Sequence, residues 1–397
     1  MILWGIKHLR MKKISALFLS IFISLIGFGQ LLESTFVHDG QDRSYFLYLP
    51  SNIQPGAPLV FVLHGYTSSA EGIIDGYGMN AVADANGFAV CYPQGSQDLT
   101  GTNFWNIKFP SETVDDVGFL SNLAQNLQSV YDLDANCTYV SGMSNGGMMS
   151  YYLGCERPDI FKSIASVTGT ITSNFIADCD GNISVPFLQI HGTSDIVVPY
   201  NGGNIAQATF GTFFPVEQII RTWTGINNCQ SVSTFAIPNA PVVDFSTVVG
   251  AEVSDCDGEL KARFYRVDGG GHTWPGSPPV PFLDFLQPTN QDISASQEIW
   301  NFFSSICSSS NGIIEGDAFL DEETVRLFPN PSYGDLNLEY YGNSNATVTI
   351  MTVEGRVILQ EKLVEGRNYL PLQQLNKGFY LARVKGDQDH IIKFILE

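Results

Sequence analysis

The pentapeptide Gly142-Met143-Ser144-Asn145-Gly146 decides which fold this chain is expected to adopt. Residues 137–141, directly before it, have the β-branched and aromatic character of a short strand. Apolar residues recur at helical spacing after it. A strand, a sharp turn and a helix form a nucleophile elbow, which lifts a serine hydroxyl clear of the backbone. Glycines suit a turn that leaves no room for Cβ atoms, so the pattern predicts Ser144 as a nucleophile.

The same interpretation predicts an acid and then a histidine further along the chain. Asp195 follows the buried-strand pattern of residues 185–191, and His272 lies in a glycine-rich loop. A serine hydroxyl needs a base that takes its proton, and the base needs an acid that holds its tautomer. We therefore expect Ser144 as nucleophile, His272 as base and Asp195 as the orienting acid.

Further site residues are expected on the turns around the nucleophile. The apolar strand pattern of residues 58–63 ends in the turn His64-Gly65-Tyr66-Thr67, which offers backbone N–H groups to a substrate oxygen. We expect the N–H groups of Tyr66 and Asn145 to form the oxyanion hole. The candidates for substrate contact are Thr67, Trp105 and Trp274. For the two tryptophans, packing in the core is the competing interpretation.

Several segments of the chain resemble one group of secreted esterases. They are Leu63–Gly65, Gly142–Met148, His191–Asp195, Val198–Tyr200 and Gly271–Pro275. These segments are similar to the polyhydroxybutyrate depolymerase and feruloyl esterase group, which is related to carbohydrate esterase family one. The resemblance implies an α/β-hydrolase fold with a mostly parallel sheet. It also implies ester hydrolysis without a metal or an organic cofactor.

The substrate stays open between alternatives. We expect a monomeric serine carboxylic-ester hydrolase that acts on feruloyl or acetyl esters of plant cell-wall polysaccharides. The alternative of the same class is a depolymerase of poly(3-hydroxybutyrate) or of a related polyester. The alternative of a different class is a non-catalytic surface adhesin on a hydrolase scaffold. The complete set of serine, histidine, aspartate and oxyanion turn favours the enzyme.

The N-terminal segment has the pattern of an export signal. Basic residues precede the apolar run of residues 14–28, so we expect a signal peptide over residues 1–29 with the true start at Met11. The apolar run is too short to predict a transmembrane span. The chain has 20 Lys and Arg against 40 Asp and Glu, a net charge of −20. This balance argues against nucleic acid as a partner, because phosphate binding needs clustered bases.

Seven cysteines in an exported chain predict disulfides and one cysteine left over. The expected pairs are Cys229 with Cys256 and Cys155 with Cys179. Cys91 lies in a core-strand pattern and is expected to be a buried free thiol, while Cys137 and Cys307 stay unassigned. No metal site is expected, because the two Asp-Cys-Asp-Gly turns do not continue into a calcium-loop pattern.

The composition of the chain changes after Cys307. The expected esterase domain covers residues 30–307, and residues 308–324 have the polar, acidic character of a linker. Residues 325–397 contain short alternating runs separated by turn residues, which predicts a small all-β sandwich.

The C-terminal module resembles the sorting domain of the type IX secretion system. The matching residues are Phe328–Pro331, Gly355-Arg356, Gly378-Phe379-Tyr380 and Lys393-Phe394. The resemblance implies the type IX machinery as a partner. It also implies a secreted or cell-surface location after the signal peptide and the sorting domain are removed. A carbohydrate-binding module is the competing interpretation.

Overall fold

The computed structural model of the protein describes most of the chain between residues 29 and 396. The described ranges are 29–109, 112–173, 185–203, 211–226, 229–256, 261–279, 287–310, 325–328, 332, 335–340, 346–352, 356–364, 366–372, 374–386 and 389–396. The expected signal peptide, apart from residue 29, and residues 311–324 of the expected linker lie outside these ranges. By its internal contacts the chain divides into two compact units, Met1–Ile313 and Ile314–Glu397.

A ten-stranded sheet forms the centre of the first unit. The strands of this unit are β1 (Gln30–His38), β2 (Gln41–Leu49), β3 (Ala57–Leu63), β4 (Ala89–Pro93), β5 (Ser96–Gln97), β6 (Asn103–Phe104), β7 (Leu133–Met143), β8 (Ser163–Val167), β9 (Phe187–Gly192), β10 (Ser231–Ala236), β11 (Thr247–Ser254) and β12 (Ala262–Asp268). The sheet order is β1-β2-β4-β3-β7-β8-β9-β12-β11-β10, and β5 pairs with β6 apart from it. The run from β4 to β12 is parallel, and the pairs outside it are antiparallel. The predicted mostly parallel α/β sheet is confirmed.

Helices cover both faces of this sheet. They are α1 (Ala70–Tyr77), α2 (Met79–Asn86), α3 (Asp116–Tyr131), α4 (Asn145–Glu156), α5 (Val216–Ile226) and α6 (Ala295–Ser310). Successive residues of a strand point to opposite faces, and β3 shows the consequence. Its odd-numbered residues Leu59, Phe61 and Leu63 pack into one hydrophobic core, and Val60 and Val62 pack into the other. Both faces are buried, which is why β3 is a continuous apolar run.

The parallel arrangement decides where the site residues meet. The strands β3, β7, β8, β9 and β12 are neighbours in that order and run in the same direction. The loops that leave the carboxyl ends of such strands lie along a single edge of the sheet. The oxyanion turn follows β3, Ser144 follows β7, Asp195 follows β9 and His272 follows β12.

Disulfide bonds connect distant parts of the first unit. Cys229 is bonded to Cys256, and Cys91 is a buried free thiol, as predicted. Cys137 is bonded to Cys307, which joins β7 to α6 across a sequence separation of 170 residues. The expected pairing of Cys155 with Cys179 stays a prediction, because Cys179 lies outside the described residues.

The second unit is an antiparallel β structure. Its strands are β13 (Val325–Phe328), β14 (Asp335–Tyr340), β15 (Thr347–Thr352), β16 (Val357–Lys362), β17 (Gly366–Pro371), β18 (Gly378–Lys385) and β19 (Asp389–Leu396). They form one sheet in the order β13-β14-β17 and a second in the order β16-β15-β18-β19. Buried side chains of both sheets, such as Leu338 and Ile350, share one hydrophobic core. The predicted all-β module is therefore a two-sheet structure. Within the part of the chain that the structure describes, no helix is long and apolar enough to cross a membrane.

Candidate active site

Ser144 lies at the turn between β7, which ends at Met143, and α4, which begins at Asn145. Its backbone has φ 57° and ψ −120°, and a positive φ is unusual for a residue with a side chain. Strained backbone of this kind costs about 1–3 kcal/mol and persists where the surroundings hold it in place. Here the Ser144 N–H donates to the carbonyl oxygen of Val167, at the end of β8, over 2.8 Å.

The glycines of the pentapeptide allow a close approach of backbone segments. A Cβ atom on Gly146 would collide with the carbonyl oxygens of Leu63 and His64, and one on Gly142 would collide with the backbone of Gly146. Neither glycine has a positive φ. Steric room at the crossing of β3, β7 and α4 is therefore the physical reason for both glycines.

Asp195 and His272 form a hydrogen-bonded pair. The distance between Asp195 Oδ2 and His272 Nδ1 is 2.7 Å. The other carboxylate oxygen accepts the backbone N–H groups of Val197 and Val198, each over 2.8 Å. Burial alone raises the pKa of Asp195, but hydrogen bonds from His191 and His272 outweigh it and hold the pKa below its usual range. The ionised carboxylate keeps the His272 proton on Nδ1, which leaves Nε2 as the proton acceptor.

The loop that carries His272 is anchored on both sides. The His272 N–H donates to Gln287 Oε1 over 2.7 Å. On the other side, a Cβ atom on Gly192 would collide with the carbonyl of Gly270, so glycine at the end of β9 lets the loop approach Asp195. The structure thus joins two predicted triad residues that are 77 positions apart in the chain.

The candidate nucleophile and the candidate base are not hydrogen-bonded to each other in this structure. Among the described residues, no hydrogen bond joins the Ser144 hydroxyl to the His272 ring. The Ser144 side chain lies beside the oxyanion turn, since a Cβ atom on Gly65 would be 3.4 Å from Ser144 Cβ. Catalytic hydrogen bonds are often long before substrate binds and tighten in the Michaelis complex.

The two candidate oxyanion donors lie on adjacent turns. Asn145 is the first residue of α4, where backbone N–H groups have no acceptor within the helix and the helix dipole favours negative charge. Tyr66 lies on the turn after β3, the neighbour of β7. Thr67 is an exposed residue of the same turn, and its backbone N–H donates to the Asn103 carbonyl over 3.0 Å. This hydrogen bond uses the Thr67 N–H within the loop itself.

Trp105 and Trp274, the two tryptophans expected at the substrate, are buried in the structure, which favours the competing interpretation of core packing. Trp105 is fully buried, and its indole N–H donates to the His64 carbonyl over 3.0 Å. Trp274 is 2% exposed and stacks on Tyr77 with ring centroids 4.0 Å apart. Both indoles pack in the interior, because an indole buries a large apolar surface once its single N–H has a partner.

Sequence reasoning missed how the segment around Trp105 supports the oxyanion turns. The Asn145 side chain accepts the Trp105 N–H over 2.7 Å and donates to the Trp105 carbonyl over 3.1 Å. The backbone of Asn106 is held in turn by the buried carboxylate of Asp116, which forms an ion pair with Arg43 at 2.7 Å. The neighbouring Asp115 caps α3, and its side chain accepts the Gly118 N–H.

Two groups of potential metal ligands occur among the described residues. In each group the ligand atoms lie within 4.8 Å of one another. The groups are His38, Asp39 and Asp115, and Asp134, Cys137 and Cys307. The disulfide removes both cysteines of the second group as ligands. His38 in the first group is within ion-pair distance of both aspartates, and the candidate active site includes no residue of either group.

Comparisons with known proteins give the family. Residues 43–197 match the family model described as Esterase PHB depolymerase, and residues 326–397 match that of a Secretion system C-terminal sorting domain. "Putative esterase NocK" of Nocardia uniformis subsp. tsuyamanensis is 30% identical over 60% of this chain and 72% of its own length.

Two further relatives are fungal. "Bifunctional acetylxylan esterase/xylanase XynS20E" of Neocallimastix patriciarum is 25% identical over 69% of this chain and 36% of its own length. "Probable feruloyl esterase C" of Aspergillus niger is 27% identical over 50% of this chain and 66% of its own length. The matched part of this chain therefore spans about a third of the length of the Neocallimastix protein and somewhat less than two thirds of the length of the Aspergillus protein.

The fold and these relatives define the class of the protein, which is an α/β-hydrolase that acts on carboxylic esters. Within that class, the chain belongs to the Esterase PHB depolymerase family. The match of residues 326–397 to a sorting domain indicates that the protein is secreted or reaches the cell surface.

Proposed function

We propose that the protein is a secreted serine esterase whose catalytic triad consists of Ser144, His272 and Asp195. The observation that carries the proposal is the 2.7 Å hydrogen bond between Asp195 and His272. It lies at the same sheet edge as the strained turn that presents Ser144. This combination of an activated base and an elbow nucleophile suits acyl transfer to a hydroxyl.

The proposed reaction follows from these roles. His272 Nε2 takes the Ser144 proton while Oγ attacks the carbonyl carbon of the ester, and the carbonyl oxygen becomes an oxyanion that the N–H groups of Tyr66 and Asn145 stabilise. The alcohol leaves with the proton from His272, which produces an acyl-enzyme. Water then attacks the acyl carbon with His272 again as base, and the acid and free Ser144 are released.

The proposed substrates are feruloyl or acetyl esters of plant cell-wall polysaccharides. The names of the two fungal relatives support this class. The description of the matching family supports poly(3-hydroxybutyrate) or a related polyester as the second candidate. A non-catalytic adhesin is not proposed, because the relatives of the chain are esterases.

The test compares the wild type with Ser144→Ala on p-nitrophenyl acetate. We expect kcat to fall by about 10⁶-fold, as for loss of a serine nucleophile elsewhere. Ser150→Ala is the matched control, since Ser150 is a buried serine of α4, the helix that follows Ser144, and its hydroxyl donates to the Gly146 carbonyl. Equal hydrolysis by wild type and Ser144→Ala would exclude the proposed nucleophile.

The substrate class is tested with methyl ferulate, acetylated xylan and poly(3-hydroxybutyrate) under identical conditions. Release of ferulate or acetate with the highest kcat/KM supports the cell-wall proposal. Preferential release of 3-hydroxybutyrate would support the polyester candidate instead.

A further inference from the structure

A chain of buried polar side chains runs from the helix of the nucleophile to the acid. The Tyr151 hydroxyl on α4 donates to Gln189 Oε1 over 2.6 Å, and Gln189 Nε2 lies 3.0 Å from His191 Nδ1. His191 Nε2 lies 3.4 Å from Asp195 Oδ2, the same oxygen that His272 contacts. Tyr151, Gln189 and His191 are fully buried, and Asp195 is 5% exposed.

Strand geometry lines up the middle of this chain. Gln189 and His191 are two residues apart in β9, so both side chains point to the same face of the sheet. That face carries the core in which Phe187 packs with Tyr151, whereas Leu188 and Ile190 belong to the opposite core. Polar residues at alternate positions of a buried strand are costly unless every group finds a partner.

The hydrogen bonds of the chain have a single consistent direction. Gln189 Nε2 also donates to the carbonyl of Gly169 over 3.0 Å. A reversed amide would place two acceptor oxygens against each other there, so Nε2 is the atom that faces His191. His191 Nδ1 is then an acceptor. His191 Nε2 carries the proton, in agreement with its 2.8 Å contact to the Val198 carbonyl, which can only accept.

The chain of polar side chains connects the parts of the site that must keep their relative positions. Ser144 directly precedes α4, and Tyr151 lies seven residues further along the same segment, two helical turns into α4. Asp195 is at the other end of the chain. The backbone of α4 and the chain of polar side chains therefore form, in series, one connection between Ser144 and the acid–base pair.

We propose that His191 is a positioning residue that, together with Gln189 and Tyr151, holds Asp195 and hence His272 in register with Ser144. This inference rests on the proposed triad. His191 touches neither the substrate nor the reacting atoms. Its Nε2–H donates to the Val198 carbonyl over 2.8 Å, and Nε2 lies 3.4 Å from Asp195 Oδ2. The Val198 N–H in turn donates to Asp195 Oδ1, so the carboxylate has little freedom to turn away from the base.

The test uses two substitutions of His191 and one matched control. His191→Leu removes the imidazole that holds the Val198 carbonyl and faces Asp195. We expect kcat to fall on the order of 100-fold, because a small misplacement of catalytic groups has such an effect. KM should stay unchanged, since only the chemical step depends on the base. His191→Gln can still donate near Asp195, so it should recover at least a tenth of the wild-type kcat, the scale of one second-shell hydrogen bond.

Ile190→Ala is the control for structural damage. Ile190 is a fully buried neighbour in β9 whose side chain lies in the opposite core. This substitution should destabilise the fold without lowering kcat. A kcat loss in Ile190→Ala equal to that in His191→Leu would show that damage to β9, not the polar chain, controls the rate.

A spectroscopic readout separates this proposal from that of the triad. In the wild type, the proton between His272 Nδ1 and Asp195 should resonate far downfield in ¹H NMR, and this signal should shift or vanish in His191→Leu but not in Ile190→Ala. The signal does not depend on turnover, so it is readable even if Ser144 is not the nucleophile. An unchanged signal together with wild-type kcat would overturn the role of His191.

If His191→Leu does not fold, Tyr151→Phe takes its place in the test. It removes one hydroxyl at the far end of the chain and leaves the ring packed against Phe187 and Trp223. A fall in kcat of about threefold or more with unchanged KM supports the chain of polar side chains, because the usual free energy of one hydrogen bond corresponds to a change of about that size. Wild-type kcat and an unchanged His272 signal in Tyr151→Phe would contradict it.

Discussion

At the scale of single residues, Asn145 combines two duties. Its backbone N–H is a candidate oxyanion donor, while its side chain closes two hydrogen bonds with the backbone of Trp105. The fully buried Trp105 in turn holds the carbonyl of His64, at the start of the turn that carries Tyr66. One asparagine side chain therefore ties together the two halves of the proposed oxyanion hole.

Asn145→Ala should separate these duties, because it keeps the backbone N–H and removes only the side-chain contacts. The buried N–H and carbonyl of Trp105 lose their partners, so we expect unfolding free energy to fall by about 1–3 kcal/mol. We expect kcat to fall by up to about 100-fold through misplacement of the donor. Urea unfolding and kcat on p-nitrophenyl acetate measure the two effects. Asn122→Ala, an exposed site on α3, is the control and should change neither.

His64 makes a residue-scale prediction about pH. The ring is fully buried and accepts the Gly95 N–H at Nε2. Burial lowers the pKa of His64 to about 4, against about 6.5 in the unfolded chain. As the pH falls, the unfolded state therefore takes up this proton before the folded state does. The contribution of His64 to stability is complete above pH 6.5 and is lost as the pH falls to about 4. The loss should reach about 3 kcal/mol.

Urea midpoints measured between pH 7.5 and 4 test this prediction. Asp195, whose pKa is also lowered, loses its contribution only at lower pH, below the unfolded value of about 3.9. In His64→Asn the slope of stability between pH 6.5 and 4 should become shallower. An equally steep slope in that variant would assign the pH dependence to other groups.

At the scale of elements, the bond between Cys137 and Cys307 determines how α6 is held. Cys137 lies in β7, the strand that leads to Ser144, and Cys307 lies near the end of α6. The ring of Phe303, one turn earlier in α6, stacks on Tyr139 of β7 with centroids 4.7 Å apart. The disulfide and this stack fix the helix to the strand that leads to the proposed nucleophile, Ser144.

Removal of each disulfide should destabilise the first unit according to the loop that it closes. In the chain-entropy description, a loop of 170 residues corresponds to about 5 kcal/mol and a loop of 27 residues to about 3.5 kcal/mol. We therefore expect the Cys137→Ser, Cys307→Ser double variant to unfold at lower urea concentration than Cys229→Ser, Cys256→Ser. The reverse order would show that loop entropy does not dominate here.

At the scale of the whole molecule, catalysis and export belong to different units. Every residue of the proposed triad and oxyanion hole lies in the first unit, and the sorting-domain match covers residues 326–397 of the second. The two units have separate hydrophobic cores. We therefore propose that the second unit directs export and that the first unit hydrolyses the ester.

A chain truncated after Ser310 should keep its activity and lose its export. We expect kcat/KM on p-nitrophenyl acetate to match that of the full chain, with the protein retained in the periplasm. Full-length Ser144→Ala, which should be exported without activity, is the matched control. Activity of the truncated chain in the culture medium at the level of the full chain would refute the sorting role.

The sequence by itself determined the class of fold, the order of the candidate triad and the two-part organisation. These properties follow from local patterns: apolar runs, a strand–turn–helix pentapeptide and a change of composition after Cys307. The strand β17, Gly366–Pro371, is not apparent from its own short pattern. It is a strand because it pairs with β14 and places Leu370 in the core of the second unit.

Only the tertiary structure decided which side chains meet. It paired Cys137 with Cys307 across 170 residues, buried Trp105 and Trp274, and placed His191 beside Asp195. A local pattern shows that a residue is suited to a turn or a core. It does not show which distant strand will be its neighbour, and the contacts of these side chains depend on the order in which β3, β7, β9 and β12 assemble in the sheet.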